Sequence, residues 1–239
     1  MKINYVIATW NGIRVKPVRN AYYYEQVLKN HLKILDGLSN SISQITIMKP
    51  KSGINNTYYD IKLSDKIKIV ECENKYQSYG QWLKAATLFL NDFDYFIFIE
   101  DDYVPAIDNF DSKLIELYQE GTYLCSRISV DNLTDPYCHC AISNGIISTE
   151  TIKKVLKDFN YDIWLTNYGR TYPVNIFHGT NYQVAFSRYF LDNGILIKDY
   201  RNHYMVDYYY TNFNEFKDWS APDVINKEKI FTPIQNIIK

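Results

Sequence analysis

Glu100, Asp101 and Asp102 stand side by side at the end of an uninterrupted apolar run, Tyr95-Phe96-Ile97-Phe98-Ile99. Carboxylates this close repel one another, so either a cation or well-hydrated surroundings must accompany them. Hard oxygen donors of this kind suit Mg²⁺ or Mn²⁺, ions that commonly join one or two carboxylates to the phosphates of a substrate. The apolar run, bounded by Asn91-Asp92 and Pro105, reads as a strand buried on both faces, as in a parallel sheet. The acids then fall at the carboxyl end of that strand, where open α/β sheets take their ligands. The bland alternative is a solvated acidic turn after a core strand.

The elements that must position these acids follow from hydrophobic periodicity. Ile3 to Ala8 predicts a first strand that runs into Thr9-Trp10-Asn11-Gly12. A helix is expected from Asn20 through Leu35, with Gly37 as its stop and His31 packed on its apolar stripe. Ser43 to Met48 and Ile67 to Val70 predict two more strands, the latter ending at Glu71-Cys72-Glu73-Asn74. A helix from Ser78, as N-cap, to Leu90 then delivers the chain to the acidic strand. The first hundred residues therefore read β-α-β-β-α-β, as nucleotide-binding α/β domains begin. Beyond them, a helix over Phe110 to Glu120, a strand over Tyr123 to Val130 and another over Cys138 to Ile147 are expected. Ser148 caps a helix to about Phe159, Tyr182 to Asn193 forms one that ends on Gly194, and Ile195-Leu196-Ile197 is a last strand.

Composition narrows the classes. A chain of 239 residues with 46% hydrophobic content suits one α/β domain, and a net charge of -1 argues against bulk attraction to nucleic acid or anionic membrane. No apolar stretch approaches the length of a membrane span and no signal peptide is evident, so a soluble, cytoplasmic protein is expected. Of four cysteines only Cys138 and Cys140 are close, with His139 between them; they lack the second half of a zinc site and read as buried thiols. Neither GxGxxG nor GxxxxGK[ST] occurs, which disfavours a dinucleotide fold or a P-loop. Aromatic residues crowd 161–178 (Tyr161, Trp164, Tyr168, Tyr172, Phe177) and serve either as core or as a platform for sugar rings.

Taken together, the strand opening into Thr9-Trp10-Asn11, the Asn74…Ser78-Tyr79-Gly80-Gln81-Trp82 helix start and the Glu100-Asp101-Asp102 strand end resemble a GT-A fold, nucleotide-sugar-dependent glycosyltransferase of the family-two type. The resemblance spans residues 3–210. It implies a mostly parallel central sheet flanked by helices, with a Rossmann-like nucleotide-sugar-binding half at 1–103, an acceptor half at 104–210 and a C-terminal extension at 211–239. It implies Mn²⁺ or Mg²⁺ as cofactor, with Asp102 as direct ligand and His203 as a late second one, His178 standing behind it. Thr9, Trp10 and Asn11 would line the nucleoside pocket and Glu71 or Glu73 would lie near the base. Asn74, Gly80 and Gln81 would join them, with Glu100 and Asp101 approaching the ribose or the waters of the metal. Asn144 and Gly145 would lie near the transferred sugar, although Asn-Gly is equally a plain tight turn. Arg201 or Lys198 could neutralise the diphosphate.

The chain departs from that pattern at the general base. Gln183 stands where inverting members carry a carboxylate, and an amide accepts no proton at neutral pH. The base is then Asp162 or Asp135, or the enzyme retains configuration, or it is inactive. The expected partners are a nucleotide-diphosphate sugar and a glycan or other hydroxyl acceptor. A nucleotidyltransferase on a similar sheet is the competing enzyme class. Such enzymes carry a Gly-rich, basic loop after the first strand; Thr9-Trp10-Asn11-Gly12-Ile13-Arg14 has a single glycine, which disfavours that class, while Arg14 and Lys16 keep it open. A non-catalytic nucleotide-sugar or glycan-binding module competes from outside the enzymes.

Overall fold

The computed structural model describes residues 1–9, 21–51, 64–73, 77–126, 128–130, 138–140, 144–157, 159–160, 186–187, 189–200, 205–206, 230–234 and 237. In chain order the elements begin β1 Ile3–Ala8, α1 Ala21–Asp36, β2 Gln44–Pro50, β3 Ile67–Cys72, α2 Gln77–Leu88, β4 Tyr95–Glu100, β5 Tyr103–Pro105 and α3 Phe110–Leu117. They continue with β6 Thr122–Cys125, β7 Ile128–Val130, β8 Cys138–Cys140, β9 Gly145–Ser148, α4 Thr149–Leu156, β10 Leu196–Asp199, β11 Met205–Val206 and β12 Phe231–Pro233. The chain divides into two compact units, one of Met1–Glu116 with Lys229–Lys239 and one of Leu117–Glu228.

The first unit is an α/β layer whose strands run in the order β4-β1-β2-β3, every neighbouring pair parallel. Parallel neighbours need crossovers: the segment containing α1 links β1 to β2, and the one containing α2 links β3 to β4. All six residues of β1 and four of the six in β4 are buried, which is why both read as continuous apolar runs. Trp82 of α2 stacks on Phe98 of β4 with centroids 5.7 Å apart, and its indole N–H donates to the Ile99 carbonyl at 3.1 Å. α1 buries Val27, Leu28, His31 and Leu35 on one stripe, as its spacing predicts.

The chain returns to this unit at its end. β12 pairs antiparallel with β5, Phe231 opposite Pro105 and Pro233 opposite Tyr103. Phe231 sits edge-on to Phe110, and Ile234 packs with Val27 and Val104. A three-residue strand has too little pattern to be legible, so neither β5 nor β12 is predicted from sequence.

The second unit has strand order β11-β10-β6-β9, with β6 and β10 parallel and the flanking pairs antiparallel. The expected strand over Tyr123 to Val130 is two strands: β6 belongs to this sheet, and β7 pairs separately with β8. The expected strand from Cys138 to Ile147 likewise divides into β8 and β9. The switch of partner leaves no trace in an apolar pattern. α3 stops at Leu117, short of the expected Glu120, because a turn intervenes: Gly121 takes φ 85°, and Thr122 donates through both its amide and its hydroxyl to the Gln119 carbonyl. α4 is capped by Ser148, whose hydroxyl accepts from the Thr151 amide at 3.0 Å. Gly194, at φ 72°, donates to the Leu191 carbonyl at 3.0 Å and ends the preceding helical residues as expected.

Candidate functional site

The order β3-β2-β1-β4 reverses direction between β1 and β4, and such a switch point is where an open α/β sheet leaves a crevice at its carboxyl edge. Ala8 is in register with Glu100 across that point. The carboxyl edge of the first unit therefore brings together Thr9 after β1, Glu71 and Glu73 at the end of β3, and the acidic turn after β4. Spacing along the chain could not show this; strand order does.

The acidic turn is held from several sides. Glu100, half-buried, accepts from the Ser78 hydroxyl at 2.8 Å. Ser78 was expected to cap its helix; instead α2 starts one residue earlier, at Gln77 with φ 56°, and the serine faces Glu100. Asp101 is buried, and its amide donates to the Ala8 carbonyl at 3.0 Å, extending the β1–β4 ladder by one rung. Its carbonyl accepts from His31 Nδ1 at 3.0 Å. The Asp102 carbonyl accepts from the Ile234 amide at 2.8 Å, while the Asp102 side chain stays half-buried. The three neighbouring acids are thus not equivalent: Glu100 is tied to α2, Asp101 is drawn inward and Asp102 stands at the edge.

Thr9 and Gln81 form a reciprocal pair. The Thr9 amide donates to Gln81 Oε1, and Gln81 Nε2 donates to the Thr9 carbonyl, both at 2.9 Å, while the Thr9 hydroxyl donates to the Met48 carbonyl at 2.6 Å. The side-chain amide of Gln81 thereby stands in for a neighbouring strand, fixing the point where β1 opens into the following loop. Gly80 is buried beside it in α2. Glu71 and Glu73 are exposed, paired with Lys49 at 3.1 Å and Lys51 at 3.5 Å. Exposed pairs of this sort hold little energy and exchange readily for another partner.

His31 is a core histidine, as its place on the apolar stripe suggests, with a partner the sequence does not reveal. Tyr5 OH lies 2.9 Å from its Nε2. A carbonyl can only accept, so the bond to Asp101 places the ring proton on Nδ1 and leaves Nε2 to accept from Tyr5. Burial drives the His31 pKa down to about 4, against the opposing pull of the Asp101 carbonyl and the Asp102 charge. Burial also holds the Tyr5 hydroxyl well above its usual pKa, so it remains a donor.

In the second unit Asn144 and Gly145 do not form a tight turn; Gly145 opens β9, opposite Cys125. A Cβ there would lie 2.5 Å from the Leu124 carbonyl and 2.7 Å from the Tyr123 ring, so only glycine fits. Asn144 is 2% exposed, and neither atom of its side-chain amide has a hydrogen-bond partner among the described residues. Ser126 stands directly across from it, donating its amide to the Asn144 carbonyl at 3.3 Å. Lys198, on β10, donates to the Leu117 carbonyl at 3.4 Å.

Trp10, Asn11, Asn74, Asp135, Asp162, Gln183, Arg201, His178 and His203 lie outside the described residues. Among the described residues no three His, Cys, Asp or Glu side chains converge as a ready-made metal cage, and no helix is long and apolar enough to cross a membrane. One or two carboxylates at an open edge nevertheless match the donor set of Mg²⁺ or Mn²⁺, which keep waters and complete their shell with substrate phosphates. Asp102 and Glu100 are the carboxylates at that edge that could hold such an ion.

No family model matches this chain, and no curated protein matches it. Solved structures align with parts of it. HddC from Yersinia pseudotuberculosis is 15% identical, with a TM-score of 0.43 over 68% of this chain and 81% of that one. Its complex with GMP-PN gives a TM-score of 0.44 over the same shares. A putative glucose-1-phosphate thymidylyltransferase from Bacillus anthracis, in complex with a sucrose, is 10% identical, with a TM-score of 0.48 over 83% of this chain and 87% of that one.

Proposed function

We propose that the chain is a transferase that takes a nucleotide-diphosphate sugar at the carboxyl edge of its first unit and passes the sugar to an acceptor hydroxyl. The observation that carries this reading is the acidic turn at the β1/β4 switch point, with Asp102 at the edge and its neighbours anchored behind it. Asp102 would hold Mn²⁺ or Mg²⁺, with His203 as second ligand. The ion would neutralise charge on the leaving diphosphate. Trp10, Asn11 and Asn74 would line the nucleoside pocket that the Thr9–Gln81 pair shapes, with Glu71 and Glu73 toward the base. Asn144, whose buried amide can both donate and accept, would meet a sugar hydroxyl.

The acceptor oxygen would bond to the anomeric carbon as the bond to the diphosphate breaks, the electron pair leaving with phosphate. Asp162 or Asp135 would take the acceptor's proton in an inverting reaction. Gln183 beside the reacting carbon would instead suit a retaining one, in which the departing phosphate takes it.

Nucleotidyl transfer is the second reading: Arg14 and Lys16 follow β1, although Thr9-Trp10-Asn11-Gly12-Ile13-Arg14 has a single glycine where that class carries a Gly-rich loop. Product analysis separates the two. Glycosyl transfer releases a nucleoside diphosphate from a nucleotide sugar, slowly even with water as acceptor. Nucleotidyl transfer releases pyrophosphate from a nucleoside triphosphate and a sugar 1-phosphate. Pyrophosphate release with no turnover of any nucleotide sugar would replace the first reading by the second. Donor binding with neither product would leave a binding module.

A further inference from the structure

We propose that His31 is the positioning residue of the acidic turn: through the Asp101 carbonyl it fixes the direction in which Asp102 is presented. The metal and donor role of Asp102 rests on the function proposed above; the positioning itself rests on geometry. The direction of a Cα–Cβ bond is set by the two peptide planes that meet at that Cα. At Asp102 both planes are pinned. The plane ahead of it contains the Asp101 carbonyl, held by His31 Nδ1 at 3.0 Å. The plane after it contains the Asp102 carbonyl, held by the Ile234 amide at 2.8 Å.

His31 suits this task because it cannot easily turn away. Its ring is fully buried, and Tyr5 OH at 2.9 Å from Nε2 holds the ring's far side while the Asp101 carbonyl keeps the proton on Nδ1. The Tyr5 ring sits edge-on to both His31 and Phe110, with centroids 5.7 and 5.9 Å away. Phe110 in turn meets Phe231, next to the β12 strand pairing that brings Ile234 to Asp102. The two pins therefore share one aromatic support. Outer partners of this kind hold a ligating group in place, and their loss commonly weakens metal binding by about 10- to 100-fold.

Two amide substitutions separate positioning from mere packing. In His31→Asn the side-chain amide reaches the Nδ1 position and can still donate to Asp101. In His31→Gln it reaches the Nε2 position, keeping Tyr5 and losing Asp101. Two quantities are read on the intact chain: the Kd for Mn²⁺ by calorimetry, and hydrogen exchange across residues 99–104. The expected result is near-wild-type behaviour for His31→Asn. For His31→Gln we expect Mn²⁺ binding weakened by about tenfold or more, with faster exchange confined to that peptide. Equal behaviour of the two variants, whether both intact or both impaired alike, overturns the proposal. Should the wild-type chain bind no Mn²⁺, the metal reading of Asp102 fails by itself. Exchange across 99–104 then decides the positioning: faster in Gln than in Asn supports it, and no difference overturns it.

Discussion

His31 and Gln81 each bond to backbone at the carboxyl edge of the first unit, and each gives a measurable consequence. The unfolded chain protonates a histidine near its ordinary pKa of 6.5, whereas the folded chain resists until about 4. Between those values the unfolded state binds the extra proton, so acidification through that window destabilises the fold; below about 4 the effect is complete. Its full size is about 3 kcal/mol. Denaturant unfolding of the wild type and of His31→Asn from pH 7 to pH 4 should show this slope in the first and a flatter one in the second. Gln81→Ala removes the two hydrogen bonds that Gln81 makes with the buried Thr9 backbone, and a destabilisation of about 2 kcal/mol is expected in urea unfolding. Only part of this was legible. The acids at 100–102 announce themselves because an apolar run ends in charge. The bonds from His31 to Asp101 and from Gln81 to Thr9 join residues 70 and 72 positions apart, and nothing local in the sequence encodes them.

At the level of elements, the strands of the first unit were readable because parallel, doubly buried strands leave continuous apolar runs. The helices were readable from their stripes. What escaped was change of partner along one run, as in β6 and β7, and pairing that gives short strands such as β5 and β12 their stability. The start of α4 was readable, since Ser148 precedes a helical pattern, but its support was not. Glu120 accepts from the hydroxyls of both Ser148 and Thr151. Burial raises the Glu120 pKa, and the bonds from Thr151, Ser148 and the Gly121 amide, with Lys154 nearby, outweigh it and lower the value overall. A carboxylate held below its ordinary value of 4.5 stabilises the fold above that pH, and the contribution fades as the pH falls through the lower folded value. Ser148→Ala is expected to cost about 1 kcal/mol as a lost cap. It should also shrink the acid-induced loss of stability, which unfolding curves at pH 7 and pH 3 would reveal. An unchanged pH dependence would place the pull on Glu120 elsewhere.

Over the whole molecule, two units share the chain, and the last described residues belong to the first rather than forming a tail. That return gives the acidic turn its second anchor, which a reading of the first hundred residues alone could not supply. The fold class was legible because the β-α-β-β-α-β order dictates it. The reaction was not, because the residues that would choose between glycosyl and nucleotidyl transfer leave only an ambiguous pattern: Gln183 where a base is expected, and Arg14 with Lys16 in the segment after β1. The central claim is that Asp102 presents a divalent ion to a nucleotide-diphosphate donor. The most direct test is the Mn²⁺-dependent melting shift of the wild type and of Asp102→Asn across a set of nucleotide sugars. A ligand specific to the native state raises the melting temperature by mass action. The account predicts a metal-dependent rise with one nucleotide family in the wild type, and no such rise in Asp102→Asn, whose melting temperature without ligand stays close to the wild-type value. An equal, Mn²⁺-dependent rise in both proteins would contradict it.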